Sequence, residues 1–360
     1  MSSEFTYADV RPSAVPLTAD DAVRIERAAL AVARDHEGGS LHDAALLHAV
    51  ELAAAALPAP VRRALISFRD KGNEGGCLLL TGLPVGTVPP TPDRSEDEPH
   101  WSRVAVATIA QLMVMSVLGR SISYSDEKSG RLVQDVCPKR GAERRQENSG
   151  SVLLELHTED GFHPNPPHFL SLICLRADHE ETAATVAGGI GDVLPLLDTE
   201  TVEALRRPEF RTGFSSSFVQ DGATGALTPP MPVLSGGDDC PDLRVDFHTT
   251  TAMTAQARTA LRRLEQAMLS SLRGLVLLPG DLIVLDNRRA VHGRSDFTPR
   301  YDGQDRWLRR SFVVTDLRPV NGHLGRGRRH NPVTPGRVRH PARTVAERAP
   351  ERVPADAIGA

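Results

Sequence analysis

A chain of 360 residues that is 40% hydrophobic and 24% charged has the make-up of a globular enzyme, with one large core and an appendage or two ordinary domains. A formal net charge of −4 gives no case for nucleic acid or a membrane surface as partner, and 4% aromatics leave few stacking platforms for single strands. Four scattered cysteines (Cys77, Cys137, Cys174 and Cys240) form no C-x-x-C pair, which argues against a disulfide framework or a cysteine-rich zinc site.

The N-terminus has no basic segment leading into an apolar one, and no run approaches the roughly 18 apolar residues of a spanning helix, so a cytoplasmic location is expected. Residues 19–34 carry Val23, Ile25, Leu30 and Val32 at helical spacing, with Asp20 or Asp21 as cap. Residues 41–57 read as a second helix stopped by Pro58, and Val61 to Arg69 as a third that ends near Gly72. The apolar run CLLLTGLP suits a buried strand, the proline-rich stretch 84–100 a loop, and 102–118 a fourth helix that Gly119 closes.

From about residue 121 the pattern changes to short β-branched or alternating segments: SISYS, GRLVQDVCP, SVLLELHTED, HFLSLICLR and TAATVAGGI. After a helix near 199–206 come RTGFSSSF, MPVLSG and DLRVDFHTT, then an amphipathic helix over 254–271. GDLIVLDN, RRAVHGRSDF and RWLRRSFVVTDL complete the strand series. Many short strands closing on themselves predict an α+β fold, a jelly-roll or cupin-like barrel with flanking helices. The expected organisation is a helical region over 1–120, the barrel with its helical insert over 121–318, and a basic Pro/Arg-rich tail over 319–360 that is too polar to order itself.

A histidine and a carboxylate two residues apart on a strand point to one face, because the side-chain period is two. His157-Thr158-Glu159 is such a pair, directly after SVLLEL. Two histidines and one carboxylate occupy one face of an octahedral Fe(II) and leave the opposite positions open. With 13 histidines and 46 acids the pattern recurs by chance, and a second copy, His179-Glu180-Glu181, lies in a polar stretch and reads as solvated. His292 supplies a third ligand from the strand after GDLIVLDN, where the neighbouring Gly293 is expected to leave room near an ion. Arg306, fourteen residues on, is the cation that a chelating dicarboxylate co-substrate requires at its far end.

These segments resemble the clavaminate synthase-like branch of Fe(II)/2-oxoglutarate oxygenases, relatives of taurine dioxygenase, and within it the hydroxylases of free arginine, asparagine or lysine in antibiotic pathways. The likeness runs from about Ser121 to Arg318. It is carried by HTEDGFHPNPPHFLSLICLR, by GDLIVLDNRRAVHGR and by YDGQDRWLRRSF. It implies a double-stranded β-helix barrel, Fe(II) as metal, and 2-oxoglutarate and O2 as co-substrates. By that resemblance His157, Glu159 and His292 hold the metal, and Arg306 with Thr185 binds the distal carboxylate of 2-oxoglutarate. Arg310, on the same strand face as Arg306, assists the co-substrate or the substrate carboxylate, or only covers the surface. Asp246 matches a position that reads the far end of the substrate side chain, and Glu127 and Asn148 match positions near its amino-acid head group. Where some arginine hydroxylases carry an extra acid, this chain has Arg244, which moves the expectation from arginine itself to the wider class of polar or cationic amino acids. Glu159 fills the position that a halogenase of this type leaves for chloride. Desaturation or ring closure stays open beside hydroxylation. Two readings of other classes compete: a zinc hydrolase, which has no need of Arg306 and Thr185, and a non-catalytic cupin-like binding protein. The sequence does not specify an oligomeric state.

Overall fold

A computed structural model describes residues 5–124, 126–143, 151–215, 218 and 226–318, with the backbone of 337 and 338. The chain opens with β1 (Ala8–Asp9), β2 (Val15–Pro16), α1 (Ala19–Asp35), α2 (Ala44–Ala53), α3 (Ala59–Lys71), β3 (Cys77–Thr81) and α4 (Ala105–Leu118). Next come β4 (Arg120–Tyr124), β5 (Val133–Val136), β6 (Leu154–His157), β7 (Phe169–Arg176), β8 (Ala184–Gly189), α5 (Ile190–Val193) and α6 (Thr199–Leu205). The short strands β9 (Phe210–Arg211), β10 (Leu234–Gly236), β11 (Pro241–Leu243) and β12 (Thr251–Ala252) precede α7 (Ala255–Ser270). β13 (Arg273–Val276), β14 (Leu282–Asp286), β15 (Ala290–Arg294) and β16 (Trp307–Val314) follow, and β17 (Arg337–Val338) pairs parallel to β4.

Two sheets form the α+β fold. The larger runs β17-β4-β16-β7-β14-β3-β2, with β5 also on β16; the smaller runs β1-β13-β8-β15-β6. Side-chain alternation explains the layering. On β7, Phe169, Ile173 and Leu175 join the core under α1–α4, while Leu170, Leu172 and Cys174 join the core between the sheets. On β8, Ala184 and Val186 pack outward with α6 and α7, while Ala187 faces the inter-sheet core. Helices therefore cover both outer faces, and the inner faces meet.

Several expectations change in detail. The first 120 residues are not helical alone, because β1 joins the smaller sheet and β2 and β3 join the larger. Thr18, not Asp20 or Asp21, caps α1: its Oγ1 accepts from Asp21 N at 3.1 Å and Asp21 Oδ2 accepts from Thr18 N at 3.1 Å, a reciprocal capping box. Strand β13 had no expectation at all; its Arg273 and Gly274 fall between the helix signal and the Pro279 turn. Trp101–Leu118 is long and apolar enough by composition to cross a membrane, yet 72% of it is buried inside the protein, as a core helix must be. Gly119 does stop α4, and a Cβ there would sit 2.4 Å from Val314 O, so close approach to β16 is what demands glycine. The expected basic tail lies outside the described residues, apart from the backbone of β17.

Candidate active site

The smaller sheet places the metal-type ligands. β6 and β15 run antiparallel with His292 directly opposite His157, and the two imidazole centres are 4.4 Å apart. Glu159, just past the end of β6, brings Oε2 to 3.4 Å from His292 Nε2. One ligand atom from each of the three residues lies within 4.8 Å of the others. His157 Nδ1 sits 2.8 Å from the Glu155 carbonyl, which can only accept, so that nitrogen is a donor and Nε2 is the one left to face a ligand.

Electrostatics prepares the same three groups. Burial, reinforced by the neighbouring His157, pushes the His292 pKa down to about 4, which keeps it neutral near pH 7. Burial opposes the charge on Glu159, but the Arg310 guanidinium and the two histidines outweigh it and hold the carboxyl well below its usual range. Glu159 Oε2 and His292 Nδ1 are buried with no hydrogen-bond partner among the described residues. A neutral His292, a His157 imidazole beside it, an ionised carboxylate and a buried carboxylate oxygen lacking a donor fit a divalent cation of the Fe(II) type.

Asn287 fixes Glu159 from behind, and the sequence reading missed it. Its Oδ1 accepts from Glu159 N at 2.7 Å, and its Nδ2 donates to Glu159 O and Pro167 O, both at 2.9 Å. A buried asparagine just past a core strand was the available signal. Gly293 corrects another expectation. A Cβ there would meet Leu154 O at 2.7 Å and Leu156 Cδ2 at 3.2 Å, so the glycine admits β6 on the outer face and opens no space at the ion.

The larger sheet contributes arginines. Arg306, immediately before β16, is 3% exposed and donates through Nη2 to Thr185 Oγ1 at 3.0 Å. Thr185 is itself buried, opposite Arg294 on β15, and so faces the site and not solvent. Arg310, expected on the face of Arg306 to assist the co-substrate or the substrate carboxylate or only to cover the surface, has a side chain 15% exposed and joins a different cluster. Its Nη1 donates to Glu159 Oε1 at 2.8 Å, its Nη2 to Glu127, and its Nε to Gln134 Oε1 at 3.1 Å. Glu127 is buried, and burial raises its carboxyl pKa despite the Arg310 charge. Gln134 lies directly across β5 from Arg310 and was not anticipated either.

The outer face of β16 is pinned separately. Arg309 pairs with Asp135 at 3.0 Å, Trp307 Nε1 donates to Asp135 Oδ1 at 2.8 Å, and Gln111 Nε2 donates to Arg309 O at 2.9 Å. This network locks the register that presents Arg310 inward.

The substrate-side expectations divide. Asp246 is bridged to His157, which brings it beside the metal-type site. It is half-buried and opens a turn instead of lying in a strand, because its Oδ1 accepts from His248 N at 2.8 Å and Thr249 N at 3.1 Å. Arg244 Nη2 donates to Gly161 O and His163 O, both at 2.6 Å, bracing the loop after Glu159. Asn148 lies outside the described residues. His179 is not solvated as expected: 14% exposed, it meets Asp302 Oδ2 at 3.1 Å and Asp305 Oδ1 at 3.8 Å. These three could also offer metal ligands, yet Asp305 is committed to Arg300 N and Tyr301 N, and Asp302 to Gln304 N. They tie two surface loops.

No protein-family model matches the chain. Among curated proteins it is 43% identical over 318 residues to L-asparagine oxygenase from Streptomyces coelicolor, covering 86% of this chain and 94% of that protein. It is 37% identical to L-lysine 3-hydroxylase from Catenulispora acidiphila, covering 83% of each. Against clavaminate synthase 2 from Streptomyces clavuligerus it is 35% identical over 77% of this chain and 84% of the other. Among solved structures, asparagine oxygenase in complex with Fe(II), 3-hydroxyasparagine and succinate superposes with a TM-score of 0.82 at 40% identity, over 90% of this chain and 98% of that one. The non-heme iron oxygenase OrfP with Fe and alpha-ketoglutaric acid gives a TM-score of 0.76 at 31% identity, over 86% and 96%. Relatives this similar, matched along most of both chains, make the protein a non-haem Fe(II)/2-oxoglutarate-dependent oxygenase of the clavaminate synthase-like family.

Proposed function

We propose that the protein hydroxylates an unactivated C–H of a free polar or cationic L-amino acid, asparagine-, lysine- or arginine-like, or a derivative of one, in secondary metabolism. The observation that carries this reading is the placement of Arg310 between Glu159 and Glu127 in one buried cluster. A cation and an anion side by side are the complement of an amino-acid head group. Arg310 takes the α-carboxylate, while Glu127, with Gln134 and Asn148, takes the ammonium end. That seats the Cβ and Cγ region of the substrate next to the metal-type ligands.

His157, Glu159 and His292 are the residues proposed to hold iron, and Arg306 with Thr185 the distal carboxylate of 2-oxoglutarate. Iron bound with 2-oxoglutarate and O2 supplies the oxidising power that converts C–H to C–OH while the co-substrate becomes succinate and CO2. The chain's own part is positional. Asn287 holds the Glu159 backbone, Arg310 orients the substrate, and the buried inner faces of the two sheets exclude water. Asp246 is proposed to meet a donor at the far end of the substrate side chain, through the oxygen not capping its turn. The asparagine-, lysine- and arginine-directed names of the relatives support this class. We further propose that the two sheets are the halves of a double-stranded β-helix, and that the enzyme works in the cytoplasm, in keeping with the buried free thiols of Cys77, Cys137 and Cys174.

The test is product analysis. Anaerobically loaded enzyme is mixed with O2 and a panel of L-amino acids, and mass spectrometry should find one polar member heavier by a single oxygen atom. If every amino acid, free or carrier-bound, is returned unchanged, the reading fails. Loss of two hydrogens in place of oxygen gain would replace hydroxylation by desaturation.

A further inference from the structure

A second buried arginine enters the co-substrate end of the site. Arg294 stands on β15 two residues after His292, so both side chains leave the same face of the sheet. Directly opposite it on β8 is Thr185, whose Oγ1 accepts from Arg306. Phe297 lies against both guanidiniums, its ring centre 5.2 Å from Arg294 Cζ and 5.9 Å from Arg306 Cζ. Arg294 is 7% exposed.

The arginines of β16 in the larger sheet are charge-matched, Arg309 by Asp135 and Arg310 by Glu127 and Glu159. Arg294 and Arg306 are not. Among the described residues Arg294 donates to the carbonyls of Val152, through Nη2 at 2.7 Å, and of Ser295, through Nε at 3.3 Å. Arg306 has the hydroxyl of Thr185. The nearby acids are placed elsewhere: Asp178 accepts from Thr182 N and Ala183 N, and Asp296 is exposed. Two like charges held together away from water, with Asp296 and Asp178 near but in no ion pair with either among the described residues, are unfavourable unless a ligand supplies a bound anion.

We propose that Arg294 is a second cation for the distal carboxylate of 2-oxoglutarate, so that Arg294, Arg306 and Thr185 together select a 2-oxo diacid over a 2-oxo monoacid. The proposal rests on the reading of Arg306 and Thr185 as the co-substrate end. Its rival is a structural role, in which Arg294 only ties β15 to Val152 and so steadies His292.

The two roles separate by equilibrium binding. The protein is loaded anaerobically with Fe(II), and 2-oxoglutarate is titrated alongside 2-oxobutyrate, which has the same keto-acid end and no distal carboxylate. Arg294→Met is expected to weaken 2-oxoglutarate roughly 10- to 100-fold, to leave 2-oxobutyrate unchanged, and to be largely rescued by Arg294→Lys. Equal weakening of both ligands, or no weakening of either, overturns the proposal. Arg306→Met in the same assay keeps the two claims apart. Unchanged 2-oxoglutarate binding there removes the parent reading, whereas a loss there without one in Arg294→Met removes only Arg294. Should Arg294→Met not fold, Arg294→Gln carries the same comparison.

Discussion

The two sides of the proposed site are built differently. At the proposed metal end, His157 and His292 stand opposite each other on paired strands, and Asn287 clamps the backbone of Glu159 with two hydrogen bonds while a third ties it to Pro167 O. At the substrate rim, Asp246 heads a turn, Glu127 precedes Lys128 and Ser129 at positive φ, and the expected Asn148 falls outside the described residues. The proposed ligands are held by paired strands and, for Glu159 just past β6, by Asn287, whereas the proposed recognition residues Asp246 and Glu127 are held by loops. A family can keep one chemistry on the first while varying the substrate on the second.

The largest expected effect tests that division at its root. His292→Ala or His157→Ala should abolish Fe(II) binding and turnover with the fold retained, as read by metal titration and circular dichroism; full metal affinity in either breaks the comparison. Next, Arg306→Leu should raise the apparent KM for 2-oxoglutarate by an amount equivalent to about 2–5 kcal/mol, the cost of leaving a buried charge without its partner. An unchanged KM would move that role to another cation. Asn287→Ala, at the rigid end but off the metal, should lower Fe(II) affinity or activity about 10- to 100-fold; an effect confined to the amino-acid KM would place it with the rim instead. Asp246→Ala should leave Fe(II) affinity unchanged and narrow the preference for polar over apolar amino acids by about 1–3 kcal/mol. The smallest effect belongs to His179→Ala, which cuts a loop tie and should cost no more than about 1 kcal/mol of stability, with metal binding intact. A loss of metal there would mean that the other His-x-Glu pair holds it.

How much was legible follows the same line. His157 and His292 come together as expected because both lie on strands and burial of β14 pins the neighbouring one; Glu159 joins them although it lies just past the end of β6 and not on the expected strand face. Thr185 was named only through the resemblance and Arg306 as the cation a dicarboxylate needs, and the two meet at 3.0 Å. Arg310 was expected on the face of Arg306 with its partner open among co-substrate, substrate carboxylate and surface; its contacts to Glu159 and Glu127 were not legible, since alternation fixes direction and not which acid lies opposite. Gln134 and Asn287 act through backbone and cross-strand contacts that connect residues far apart in the chain. Gly293 misled because a glycine beside a ligand suggests space at the ion, whereas its bare side faces β6.

On the proposed reading, a polar amino acid seated on Arg310 and Glu127 drives 2-oxoglutarate oxidation at the site of His157, Glu159 and His292. Succinate release measures it most directly, with Fe(II), 2-oxoglutarate and O2 supplied and L-amino acids added one at a time. The account predicts fast, Fe(II)-dependent succinate formation with one of asparagine, lysine, arginine or their relatives, and little with leucine or proline. Succinate that appears equally with every amino acid, or most rapidly with leucine or proline, would contradict it.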